Sequence, residues 1–321
     1  MIAWLSGKFA YLATWFGFKI GCAAIRVWPG AVFRLADGLA KIGFYLFRGF
    51  RTRSVANIQL ALGDRLSAIE IDSVARQSLR NFLRACVEIG VAVESSDDRI
   101  KAEIPLVGRK NLDAALTKGK GVLLLSAHLG NFFLVGCRIA VEGLPAFVLV
   151  NQPRDGRFAD LMDEYRRVAR QNTIHARPRH QALQELTQVL RRNQVAVIIA
   201  DEYRKGSGIE VPLFGKTVIA RRGPVSLALR TGAAVVPACM VRQADDSLRL
   251  VIEPELELER GERNAEAIRE NTRRMTRWLE RTVRCYPEQW NWMNIHWWAK
   301  GPGSEARPKQ PSTKDCNQKG E

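Results

Sequence analysis

The sequence predicts an α/β protein, a mostly parallel sheet flanked by helices, with an all-helical region ahead of it. Two observations carry this. From Pro105 onward short apolar, β-branched runs recur: "GVLLLSA" (121–127), "AFVLV" (146–150), "VAVIIA" (195–200), "AAVVPACMV" (233–241) and "LRLVIEP" (248–254). Helical stretches separate most of them, and strands alternating with helices form a parallel sheet covered on both faces. Before Pro105 the pattern is helical throughout, with "SAIE" at 67–70 forming a capping box that opens a helix through about residue 93.

The first element, residues 1 to about 28, is apolar and aromatic but is interrupted by Lys8, Lys19 and Arg26. Steps of 11 and 7 at about 100° per residue place these cations on one helical stripe. Such a helix lies in a membrane interface, its cations toward headgroups and Trp4, Trp15 and Phe16 toward acyl chains; spanning the bilayer beside a partner and burial against the protein's own core are the alternatives. A second apolar stretch runs from Pro29 to about Phe50 and leads into the basic "RGFRTR". The last helix, about 264 to 284, carries Ile268, Met275, Leu279 and Val283 on one face and ends at the aromatic "YPEQWNWMNIHWW". The expected organisation is a helical membrane-associating region over 1–100, an α/β domain over 101–300 and a disordered tail over 301–321.

Composition narrows the partners. Forty-nine Lys and Arg against 33 Asp and Glu give a net charge of +16, which calls for an anionic partner: nucleic acid, an anionic membrane or an acidic protein. Nucleic acid is disfavoured because Arg166, Arg167, Arg170, Arg177 and Arg179 sit outside any recognisable recognition module. The six cysteines lack C-x-x-C spacing and nearby histidine pairs, so reduced thiols and no structural metal are expected.

Polar residues gather where the strands end, which is where open parallel sheets bind ligands. The first run ends at His128 and Asn131, the second at Asn151, Gln152 and Arg154, the third at Asp201, Glu202 and Arg204. His128 is the candidate general base toward a hydroxyl. "HLGN" also reads as a strand-to-helix turn whose free backbone N–H groups could steady an oxyanion. No G-x-S-x-G elbow, phosphate-binding loop or dinucleotide glycine pattern occurs, so direct transfer to an activated hydroxyl is favoured over a covalent intermediate.

Five blocks in order, "RTRSVANIQLAL", "GKGVLLLSAHLGN", "NQPRDGRFADLMDEYRR", "ADEYRKGSGIEVPLFGKTVIARRGPVSLALRTGAAVVP" and "YPEQWNWM", make the chain resemble the late acyltransferases of lipid A biosynthesis, within the lysophospholipid acyltransferase group. The resemblance implies an acyltransferase-like αβα fold at the cytoplasmic face of the inner membrane. It implies transfer of a fatty acyl group from acyl carrier protein, with no further cofactor, to a hydroxyl of a membrane glycolipid. His128 matches the family's catalytic histidine, Asn131 the residue beside it, and Arg154 and Arg166 two arginines after the second strand. Asp201 and Glu202 match an acidic pair at the third strand end. Arg154, Arg204 and Arg222 are expected to hold anionic groups of donor or acceptor, and Asn131 and Arg166 to bind substrate with them.

One departure bears directly on chemistry. The family's histidine is followed five positions later by Asp or Glu, and here that position is Phe133. The substitute acid expected from the strand-end argument is Asp201, with Glu202 second. The competing expectation is a catalytically silent relative that binds lipid or carrier protein.

Overall fold

The computed structural model describes residues 17, 19–152, 156–203, 208–261 and 264–295. The expectations for residues 1–16, for Arg154 and Arg204, and for the tail over 301–321 therefore lie outside the described residues. Helical residues 19–27 lead into α1 (Pro29–Leu46), whose starting proline has the φ a first helical turn requires. Helices α2 (Arg48–Leu62) and α3 (Ala68–Glu94) follow. Helix α3 opens on the expected capping box: Ser67 and Glu70 each accept from the other's backbone N–H. After α4 (Asp97–Glu103) comes the α/β portion: β1 (Leu106–Val107), α5 (Arg109–Leu116), β2 (Val122–Ser126), α6 (Val135–Ala140), β3 (Ala146–Val150), α7 (Gly156–Val168), β4 (Asn172–His175), α8 (Arg179–Arg191) and β5 (Val195–Ile199). A hairpin of β6 (Ile209–Leu213) and β7 (Lys216–Ala220), then α9 (Gly223–Thr231), β8 (Ala234–Arg242), β9 (Leu248–Ile252) and α10 (Ala265–Cys285) complete it.

Seven strands form one sheet in the order β1-β9-β8-β2-β5-β3-β4, parallel except for the β8–β9 pair. The chain moves outward from β2 to β3 and β4, returns to insert β5 beside β2, and then builds on the other side through β8 and β9. The connection after β2 thus runs toward β3 and the one after β5 runs back past β2 toward β8, which opens a crevice at the carboxyl ends of these two adjacent strands.

Every residue of β2 is buried, and the period of two sorts them: Leu123 and Leu125 enter one core, Val122 and Leu124 the other. The first core also holds Phe44, Ile58, Ile71 and Leu79 from α1–α3, together with Trp290 and Trp292. The change near residue 100 is thus one of secondary structure, while the front helices share the sheet's core. Arg26, expected to face headgroups, pairs with Glu94 at the end of α3, and Cys22 and Ile25 are buried. Among the described residues no helix is long and apolar enough to cross a membrane. Among the described residues Cys22, Cys86, Cys137 and Cys239 are free thiols.

Candidate active site

The pairing of β2 with β5 generates the site. Their parallel register sets Ser126 opposite Ile199, so the residues two beyond each strand end, His128 and Asp201, arrive abreast. Nδ1 of His128 lies 2.7 Å from Oδ1 of Asp201. The other carboxylate oxygen accepts from the His128 backbone N–H and from the indole N–H of Trp290, each at 2.8 Å. Burial alone would push the Asp201 carboxyl upward, but the His128 charge and these three hydrogen bonds outweigh it and hold it below the ordinary carboxylate range. An ionised, acceptor-only Asp201 requires Nδ1 to carry the proton, which leaves Nε2 as the basic nitrogen.

Gly130 lets the chain turn away after His128. Its φ is +58°, and a Cβ there would lie 1.8 Å from the Met240 carbonyl oxygen, so both backbone conformation and space demand glycine. The turn is then tied on two sides. Gly130 N–H donates to the Gln289 carbonyl at 2.9 Å and Asn131 N–H to the Met240 carbonyl at 3.1 Å. The expected reserve of free N–H groups in "HLGN" is therefore largely absent, since three of the four are bonded. The helix beyond is also short, a 3₁₀ turn (Phe132–Leu134) followed by the six residues of α6.

His128 borders a cavity of about 120 Å³ whose apolar wall includes Phe50, Leu79, Phe82, Phe132 and Met293. The Phe132 ring packs edge-on against the imidazole, with centroids 4.7 Å apart. A second void behind Asp201, of about 20 Å³, has room for no more than a water, so of these two spaces the one beside His128 can receive a larger group. A partly buried imidazole, held by a carboxylate and facing an apolar cleft, has the chemistry to take a proton from a hydroxyl beside an apolar group.

The sequence model of the bacterial lipid A biosynthesis acyltransferases matches residues 3–298. The chain belongs to this family. A lipid A biosynthesis palmitoleoyltransferase of Escherichia coli (strain K12) is 26% identical over 293 residues, covering 88% of this chain and 90% of that protein. A phosphatidylinositol mannoside acyltransferase of Mycolicibacterium smegmatis (strain ATCC 700084 / mc(2)155) is 24% identical over 288 residues, again 88% of this chain and 90% of that one. A protein of the same name in Mycobacterium tuberculosis (strain ATCC 25618 / H37Rv) reaches 28% over 233 residues, 70% of this chain and 72% of the relative. The chain is an acyltransferase of the lipid A type.

Within this acyltransferase the other expected site residues divide. At the family's acid position the Phe133 ring packs against Phe132, with centroids 4.0 Å apart, and its carbonyl accepts from Gln171. Glu202 accepts from the Asn151 amide at 3.1 Å, so of the acidic pair Asp201 is the one bonded to the imidazole. Asn131, expected to touch substrate, is fully buried and donates to Glu88 at 2.8 Å and to the Ala85 carbonyl at 3.3 Å. It has no surface left for a ligand. Arg166 on α7 donates to Asp163 at 2.7 Å, and Arg222 is exposed at the start of α9; neither lines the cavity at His128.

Sequence reasoning missed a buried network beneath the turn. Arg242 pairs with Glu88 and donates to Asn81 at 2.9 Å, while the Gln289 side chain bonds both the N–H and the carbonyl of Arg242. Glu88 in turn receives Asn131, so the histidine turn is anchored to α3 and β8. The local signals were polar Ser78, Asn81, Arg84 and Glu88 recurring at helical spacing and charged Arg242 at the end of an otherwise apolar strand.

Proposed function

We propose that this acyltransferase moves a fatty acyl chain from acyl carrier protein to a hydroxyl of a membrane glycolipid of the lipid A type, with His128 as general base. The supporting observation is the His128–Asp201 pair at the wall of an apolar cavity. His128 Nε2 takes the proton of the acceptor hydroxyl as its oxygen bonds to the thioester carbon. Asp201 keeps Nδ1 protonated and stabilises the imidazolium that results. The carbon–sulfur bond then breaks, and the proton passes from His128 to the departing thiolate. The acyl chain occupies the cleft walled by Phe50, Leu79, Phe82 and Phe132.

The setting we propose is the cytoplasmic face of the inner membrane. Helix α1 turns Leu35, Leu39, Ile42 and Leu46 outward at helical spacing, each at least half exposed, beside exposed Trp28 and Phe47. That apolar row, with Arg34, Lys41 and Arg48 nearby, suits an anionic bilayer surface. Arg166 and Arg222, with Arg154 and Arg204, are the candidates for the phosphate groups of glycolipid or carrier arm, and the +16 charge suits an acidic carrier.

The test is transfer of label from fatty-acyl carrier protein to membrane lipid by wild type and by His128→Ala, with the product identified by mass. Transfer by wild type that is lost in His128→Ala supports the reading. If neither variant transfers label while both bind lipid or carrier, the chain is a binding relative that has lost its chemistry.

A further inference from the structure

The bonded N–H groups of the turn leave a gap in the chemistry. When the acceptor oxygen adds to a thioester, the carbonyl π pair moves onto oxygen, and the developing charge needs a donor already in place. His128, Gly130 and Asn131 have committed their N–H groups to Asp201, Gln289 and Met240. A helix of six residues after a single 3₁₀ turn adds little field.

The segment after α10 runs beside this turn. Leu129 and Trp290 form an antiparallel bridge, and one step along it the Asn291 N–H donates to the His128 carbonyl at 3.0 Å. Asn291 therefore stands directly opposite His128. Directly opposed residues of an antiparallel pairing project to the same face, and here one backbone bond joins the two, the His128 N–H being used by Asp201. Both residues line the same cavity.

The amide of Asn291 is oriented. Its Oδ1 accepts from the Met293 backbone N–H at 3.3 Å, capping the final 3₁₀ turn (Trp292–Asn294). A backbone N–H can only donate, so the oxygen must face it, and Nδ2 is the opposite end. Among the described residues Nδ2 has no hydrogen-bond partner. The half-buried Asn291 thus brings an uncommitted N–H₂ donor, fixed by its own carbonyl, to the wall that holds the base.

We propose that Asn291 is a catalytic residue whose Nδ2 donates a hydrogen bond to the thioester oxygen as it becomes an oxyanion, in the place of the backbone N–H groups that the turn has used. The inference rests on the acyl-transfer reading above. The acceptor oxygen bonds to the carbonyl carbon while its proton moves to His128 Nε2, and the π pair collects on the oxygen held by Asn291. Collapse re-forms the carbonyl and expels the thiolate, which recovers the proton from His128. A donor that bonds the oxyanion more strongly than the neutral carbonyl lowers the barrier and leaves ground-state binding nearly unchanged.

The decisive comparison is Asn291→Asp with Asn291→Ala, assayed with labelled fatty-acyl carrier protein and bacterial membrane vesicles beside wild type and His128→Ala. Aspartate keeps the cap on Met293 but replaces the donor by a carboxylate, whereas alanine removes both. The expected result is a fall of kcat by about 10²- to 10³-fold in both variants, with KM for the acyl donor changed little and Tm near wild type for Asn291→Asp. If Asn291→Asp retains near-wild-type turnover, Asn291 acts only as a cap and the inference is overturned while the reading of His128 stands. If kcat falls only in proportion to a fall in Tm, the role is structural and the inference is likewise overturned. Absence of transfer by wild type itself would overturn both.

Discussion

The carboxylate of Asp201 spans the side chain and the backbone of His128: Oδ1 lies 2.7 Å from Nδ1, and Oδ2 accepts the His128 N–H at 2.8 Å. One group therefore fixes the ring's tautomer and the position of its Cα together. Asp201→Asn would offer an amide to Nδ1 and favour the tautomer with the proton on Nε2, which cannot act as a base. The expected loss in kcat is about 10²- to 10⁴-fold with the fold retained, measured by label transfer under saturating donor. Phe133→Glu, which restores the family's acid in sequence, is expected not to raise turnover, because Nδ1 already has its carboxylate. A gain in rate would show that Asp201 is an inadequate partner.

Acid stability should carry the signature of the same carboxylate. The folded-state pKa of Asp201 is depressed, so its stabilising contribution is fully present above the unfolded value of about 3.9 and is lost as pH falls through the folded value. The urea midpoint of wild type should thus drop more steeply below about pH 4 than that of Asp201→Asn, which has no proton to take up. Parallel curves for the two proteins would contradict the depressed pKa.

Asn131 separates the structural reading of its position from the substrate-binding one. Asn131→Ala removes a buried donor from Glu88 and leaves that carboxylate short of a partner, so unfolding free energy should fall by about 1–3 kcal/mol. The KM for the acyl donor should move little. Arg242→Met breaks the buried pair itself, whose side chains are 4% and 9% exposed, and should cost about 3–5 kcal/mol. Denaturant titration of the two variants orders these effects.

The outward row on α1 predicts a surface phenotype. Leu39→Glu with Ile42→Glu changes residues that are 52% and 59% exposed, so folding should be preserved. Binding to vesicles containing anionic lipid should weaken by tenfold or more, since about 1.5–3 kcal/mol attends burial of each large apolar side chain. Unchanged sedimentation with vesicles would remove α1 from the membrane contact.

Local sequence patterns were enough to place most of the α/β framework. "AFVLV" is β3 residue for residue, the capping box starts α3, and the last helix runs Ala265–Cys285 against an expected 264–284. Each of these follows from interactions within a few residues. The β6–β7 hairpin was not legible because its turn is Phe214-Gly215, both at positive φ, where Asn or Gly would be the usual first residue. Phe214 holds that conformation through tertiary contacts, its ring packing near Trp290 and Trp292 and its N–H donating to Glu280.

The candidate site divides along the same line. The sequence by itself determined that His128 and Asp201 each follow a buried strand by two residues, because that depends only on the length of an apolar run. Tertiary structure alone decided that they meet, although 73 residues separate them, by choosing β5 rather than β3 as the neighbour of β2 and by fixing the register at Ser126 and Ile199. It also decided that Asn131 turns inward and that Trp290 and Asn291 close on the histidine. Strand order and register are settled by the packing of whole faces into the two cores that β2 separates. No stretch of chain short enough to carry a motif contains both partners of such a contact.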